Sequence, residues 1–168
     1  MTLSKYLDYR KWVLSKPYRL PLLKFFYKLL PAFVYLLYPL VLLYLFLQRD
    51  WLFLQTFFVP LAGFLSVTWL RRFIGAQRPY ELYGLPPLIE KTTKRKSFPS
   101  RHCACAAVIA VALWQVHWLM GFVCGIVGVL IAVCRVLAGV HFPRDVIGGL
   151  CFGAVVGQFG VWMFSLFL

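Results

Sequence analysis

Three short clusters in this chain hold the residue types suited to gripping an anion and moving a proton. They are Arg71 with Arg78-Pro79, then Pro99-Ser100-Arg101-His102, then Arg135 with His141 and Asp145. Pro99 biases the residue before it away from helix and Ser100 is a good N-cap, so a helix is predicted to begin here. The first N–H groups of a helix are unpaired and carry the positive end of its dipole, which favours an anion beside them. His102 falls in that first turn. Arg71, Arg78 and Arg135 can supply cations around the equatorial oxygens of a phosphoryl group, each charge-assisted bond being worth about 1.5–3 kcal/mol. Without an anion such a cluster repels itself. His141 and Asp145 are four residues apart and can share a helical face. A carboxylate accepting from one imidazole nitrogen fixes the tautomer and strengthens the other nitrogen as a nucleophile.

The elements that must position these clusters are membrane helices. Of the 168 residues 62% are hydrophobic, the mean hydropathy is +0.79, and a soluble domain is about 45–50% apolar. Residues 1–28 mix seven Lys and Arg with aromatics, the composition of an amphipathic segment lying in the membrane interface. Runs of about 20 apolar residues predict spans at 29–47, 51–70, 103–119, 121–138 and 146–167, with Gln48-Arg49-Asp50 and Met120-Gly121 as tight turns. Residues 71–101 form the one long polar loop, whose Lys91, Lys94, Arg95 and Lys96 can cap a site or hold headgroups. The expected architecture is therefore an all-α integral membrane protein, one domain over 1–168, a five-span helical bundle with an interfacial N-terminal segment. Five crossings bring all three clusters to one side. Gly149, Gly153 and Gly157 repeat every four residues and read as a packing stripe.

The 18 Lys and Arg against 5 Asp and Glu flank apolar runs, which favours anionic headgroups or a phosphorylated substrate and argues against nucleic acid. The five cysteines read as small apolar residues without a Cys-x-x-Cys pair. Of the five acids, Asp8, Asp50, Glu81, Glu90 and Asp145, only the last falls in a cluster. Hard cations need several carboxylates together, so neither a metal site nor a cofactor is expected.

The three clusters together resemble the type 2 phosphatidic acid phosphatase superfamily, membrane lipid phosphatases related to vanadium haloperoxidases. The family pattern is Lys-x6-Arg-Pro, Pro-Ser-Gly-His and Ser-Arg-x5-His-x3-Asp. This chain reads Arg71-x6-Arg78-Pro79, Pro99-Ser100-Arg101-His102 and Cys134-Arg135-x5-His141-x3-Asp145. The resemblance covers roughly residues 69–149. It implies a phosphohistidine on His141 oriented by Asp145, His102 protonating the leaving oxygen and later activating water, and phosphate ligands Arg71, Arg78, Ser100, Arg101 and Arg135. Three positions depart from the pattern. Arg71 for Lys keeps the charge with a planar fork. Arg101 for Gly either adds a phosphate ligand or points into headgroups. Cys134 for Ser loses a hydroxyl donor.

The resulting expectation is a metal-independent phosphatase of the cell membrane, hydrolysing a lipid phosphomonoester or diphosphate such as phosphatidate, phosphatidylglycerol phosphate or a polyprenyl diphosphate. The alternatives are a lipid phosphotransferase and a non-catalytic lipid-phosphate binding or scaffold protein. Orientation divides the two lines of argument. On a five-span count, 17 of the 18 Lys and Arg lie on the site side, which places it in the cytoplasm; the resemblance implies the extracytoplasmic side.

Overall fold

The computed structural model describes residues 2–166, and every regular element among them is helical. In chain order these are α1 (Leu3–Leu14), α2 (Arg19–Leu47), α3 (Leu52–Ile74), α4 (Pro79–Tyr83), α5 (Arg101–Val116), α6 (Trp118–Leu137) and α7 (Pro143–Ser165). Four helical stretches, Arg19–Leu47, Leu52–Tyr83, Trp118–Leu137 and Pro143–Ser165, are long and apolar enough to cross a membrane. Their outer faces expose large apolar side chains such as Leu36, Leu47, Phe73 and Val155, as helices bathed in lipid do.

The shortest of the long helices sits at the centre. α5 packs against α3, α6 and α7 and buries half of its 16 residues. At 1.5 Å per residue it is about 24 Å long, short of the roughly 30 Å hydrocarbon core. Small residues let its neighbours close in. A Cβ at Gly153 of α7 would stand 2.2 Å from the Ala104 carbonyl oxygen, and one at Gly149 would stand 2.6 Å from that of Ser100. The glycine stripe is thus the contact between α7 and α5.

Several predicted boundaries move. The first apolar helix starts at Arg19 and not near residue 29, because Pro21 falls in its first turn, where a missing N–H costs no intrahelical bond. The segment 1–28 is accordingly split, with α1 forming a separate helix. Tyr6 and Val13, seven apart on α1, are buried. Val13 joins Ala138 and Val140 in an apolar cluster, and Tyr6 packs on Gly139, whose φ of +73° suits glycine. α1 therefore lies on the α6–α7 turn.

The α5–α6 break falls at His117 and not at Met120-Gly121. His117 caps α6 through its ring nitrogen, which accepts from the Leu119 N–H at 3.2 Å. Gly121 is helical, and its missing side chain makes room for Trp114: a Cβ there would stand 2.6 Å from the Trp114 Cα. α3 runs past residue 70 to Ile74 and ends on Gly75 in the left-handed conformation, so Arg71 belongs to the last turn of a helix and not to the loop. The last predicted span reaches 167, which lies outside the described residues.

Candidate active site

The site begins with two clamps between chain segments. The Ser100 N–H at the start of α5 donates to the Asp145 carbonyl in the first turn of α7 at 2.8 Å. In the second clamp, the guanidinium groups of Arg71 and Arg78 converge on the Lys96 carbonyl, Arg78 at 3.2 Å, and Arg78 also donates to the Val140 carbonyl at 3.2 Å. These bonds tie the end of α3, the loop before α5 and the α6–α7 turn into one frame.

Within that frame His141 stands just before α7. Phe142 is the N-cap of α7, Pro143 its first residue and Asp145 its third, a sequence suited to starting a helix. The Asp145 carboxylate reaches back so that Oδ2 accepts from the Phe142 N–H at 2.9 Å. The same oxygen accepts the Ser97 hydroxyl and lies 3.6 Å from His141 Nδ1. Ser97 Oγ is itself 3.5 Å from that nitrogen. His141 and Asp145 thus form a buried imidazole–carboxylate contact with Ser97 as a third member. Nδ1 faces the carboxylate, which leaves Nε2 as the ring nitrogen available for chemistry.

Burial, reinforced by the nearby Arg78 and Arg71 cations, outweighs Asp145 and pushes the His141 imidazole down to about 4. At neutral pH it is uncharged, the form that has a lone pair to give.

A polar cavity of about 170 Å³ opens in front of this pair. Arg71, Arg78, Arg101, His102, Arg135 and His141 all line it, together with Arg72, Lys91 and Lys96 of the α3 end and the loop. Arg135, in the last turn of α6, is fixed with its guanidinium 3.9 Å from the centre of the Tyr27 ring of α2, a cation–π contact. Burial and the surrounding arginines lower the Lys91 pKa. Among the described residues no three His, Cys, Asp or Glu side chains gather to hold a metal.

Asp145 stands behind His141 and off the cavity wall. Ser100 is fully buried, does not line the cavity, and makes no side-chain cap bond; it contributes its backbone N–H to the clamp. Cys134 packs into the apolar cluster beneath α1, so the hydroxyl missing at that position is missing from a hydrophobic contact and not from the cavity wall. Arg101 lies at the rim with its guanidinium 5.5 Å from the centre of the Phe64 ring. Of the loop cations, Lys91 and Lys96 reach the cavity wall, whereas Lys94 and Arg95 are not on it.

Sequence reasoning missed two contributors. Ser97 stood next to the second cluster without a role; a small hydroxyl three residues before the Ser100 N-cap was the available signal. Tyr27 had none, since its place under Arg135 depends on how α2 leans on α6.

A second, apolar cavity of about 310 Å³ lies between α2, α3 and α5. It shares Arg101 and His102 with the polar one.

Fold and site together define a helical membrane protein with a cationic pocket closed around a His–Asp pair. The chain belongs to the PAP2 superfamily, whose family model matches residues 51–167. Over 115 residues, 64% of this chain and 46% of the relative, it is 31% identical to a lipid A 1-phosphatase of Rhizobium johnstonii. Over 97 residues, 54% of this chain and 45% of the relative, it is 32% identical to an undecaprenyl-diphosphatase of Sulfolobus acidocaldarius. The chain thus spans about half the length of these curated relatives. Two crystal structures share its fold. Aquifex aeolicus LpxE superposes with a TM-score of 0.74 at 26% identity, covering 95% of this chain and 94% of that one. A transmembrane PAP2-type phosphatidylglycerolphosphate phosphatase from Bacillus subtilis gives 0.73 at 22% identity, covering 96% and 85%. With its apolar helices, this makes the protein a multi-pass membrane protein.

Proposed function

We propose that this protein is a lipid phosphatase that removes a terminal phosphate from a lipid phosphomonoester or diphosphate through a phosphohistidine on His141. The observation that carries the reading is an uncharged His141, backed by Asp145, on the wall of a cationic cavity that adjoins an apolar one. A phosphoryl group fits the first and a lipid chain the second. The two curated relatives, named for lipid phosphate and lipid diphosphate hydrolysis, agree with it.

In the first step His102, which takes up a proton together with the arriving phosphate anion, gives it to the lipid oxygen as the bond from that oxygen to phosphorus breaks and Nε2 of His141 bonds to phosphorus. In the second step His102 takes a proton from water, whose oxygen bonds to phosphorus while the P–N bond breaks and phosphate leaves. Arg71, Arg78 and Arg135 offset the negative charge on the equatorial oxygens throughout. They fill the place a metal ion takes in other phosphatases, so turnover is metal-independent.

We further infer five crossings, with α5 as the buried fifth, and α1 at the membrane surface of the site end. On that arrangement 17 of the 18 Lys and Arg sit at the site end, and charge alone directs this end to the cytoplasm of a plasma membrane. Labelling a cysteine at position 90 in intact cells, in a cysteine-free background, decides the side: modification by an impermeant reagent overturns the cytoplasmic assignment.

The function itself is tested with protein purified in detergent and a panel of lipid phosphates. Phosphate release that passes through an acid-labile phosphoenzyme, and loss of both with His141→Gln, is the expected result. Turnover that survives His141→Gln would overturn the assignment.

A further inference from the structure

Arg101 occupies a place that no other cation in the site shares. Among the described residues, only Arg101 and His102 line both the polar and the apolar cavity. If the polar cavity holds the transferred phosphoryl group and the apolar one the lipid chain, whatever links them passes between these two side chains. This inference therefore rests on the function proposed above.

Three of the other arginines on the polar wall are tied to protein groups, and the fourth, Arg72, does not line the apolar cavity. Arg71 and Arg78 donate to backbone carbonyls, and Arg135 is stacked on Tyr27 at 3.9 Å. Arg101 is exposed, with its guanidinium over the face of Phe64, itself a wall of the apolar cavity. A cation without a hydrogen-bond partner among the described residues thus stands at the mouth of an apolar slot, beside the position of the leaving oxygen. In a simple monoester that position holds an ester oxygen followed by carbon, which gives a guanidinium nothing to neutralise. In a diphosphate it holds a second, anionic phosphate, which matches the planar fork of an arginine.

We propose that Arg101 is a specificity-determining residue that selects lipid diphosphates by binding the phosphate that remains with the lipid. The chemistry balances on this substrate: the bond from the distal phosphorus to the bridging oxygen breaks, the distal phosphoryl passes to His141, and the lipid leaves as a monophosphate. Such a leaving group is far less basic than an alkoxide and asks less of His102.

The experiment compares a polyprenyl monophosphate and diphosphate of equal chain length, using wild type, Arg101→Gly and Arg101→Lys in detergent. Wild type is expected to favour the diphosphate in kcat/KM. In Arg101→Gly the ratio of diphosphate to monophosphate kcat/KM should fall about 10- to 100-fold, the worth of one charge-assisted contact, with Arg101→Lys in between. An unchanged ratio overturns the proposal. A parallel binding arm uses a non-hydrolysable lipid methylenebisphosphonate against a lipid phosphonate of the same chain. Loss of discrimination in Arg101→Gly supports the assignment, and equal discrimination in wild type and variant overturns it, with or without turnover. Absence of turnover by wild type on both substrates overturns the phosphatase reading alone.

Discussion

The geometry of the site hangs on the contact between α7 and α5, and Gly149→Ala perturbs it directly. A Cβ at this position would stand 2.6 Å from the Ser100 carbonyl oxygen, 3.2 Å from the Ser100 nitrogen and 3.1 Å from the Cys103 Cβ. The first distance is about 0.8 Å short of ordinary contact, which begins at 3.4 Å. Two of the three atoms are backbone, so no rotamer change relieves the clash and the helices must separate. That separation acts on the 2.8 Å bond from Ser100 to Asp145, which joins the helix bearing His102 to the turn bearing His141. Misplacement of a catalytic group by about 1 Å costs about 100-fold in rate, and overpacking a tight contact costs about 1–3 kcal/mol of stability. We therefore expect kcat on a lipid phosphate to fall about 10- to 100-fold, with a lowered melting temperature in detergent. Two further variants separate the clash from the mere addition of a methyl group. In Gly157→Ala the three nearest atoms belong to the side chains of Val111 and Val108, at 3.0–3.3 Å, and the variant should lose less; Gly125→Ala meets nothing within 4 Å and should keep its activity while gaining helix propensity. A Gly149→Ala protein whose kcat stays near that of Gly125→Ala would refute the reasoning.

Ser97→Ala removes a hydroxyl that donates to the buried Asp145 carboxylate; a bond to a charged group is worth about 1.5–3 kcal/mol, so kcat should drop by at least about tenfold, and full activity would show that Ser97 only fills space. The His141 imidazole should stay neutral well below the ordinary histidine range, titrating near 4. Nitrogen-15 spectra of the three histidines read this directly, and a titration near 6.5 would refute it. The same shift has a stability consequence: the unfolded chain binds the proton first, so this group destabilises the fold as pH falls from about 6.5 toward 4 and has no effect above that window. Phosphate release should persist in chelator and be inhibited by vanadate, a mimic of five-coordinate phosphorus; activity abolished by chelator and restored by Mg²⁺ would sink the proposed mechanism. His102→Ala should retain most activity on substrates whose leaving group needs no proton, and an equal loss on all leaving groups would remove His102 from proton transfer.

The sequence alone determined the class and the cast. Long apolar runs oblige the backbone to satisfy itself, which in lipid means helices, and the spacing of the three clusters put their charged residues at helix ends on one side. Arg71, Arg78, Arg101, His102, Arg135 and His141 do line one cavity, with Asp145 directly behind. The start at Ser100 follows from short-range chemistry and was legible in the same way, whereas α7 begins at Pro143, three residues before the predicted span at 146. Glycine was ambiguous, because a missing side chain serves a turn and a close helix contact equally well; at Gly121 only the presence of Trp114 from another helix decides which. Burial of Ser100, the apolar seat of Cys134, the stacking of Tyr27 under Arg135 and the seat of α1 on Gly139 all depend on which helix lies beside which. Arg101 shows the division most clearly. Its charge and helix position are read from the chain, but its stance between a polar and an apolar cavity exists only once α2, α3 and α5 pack together. Hydropathy and spacing report what each residue avoids or attracts, while its neighbours from distant parts of the chain are set by close packing in three dimensions.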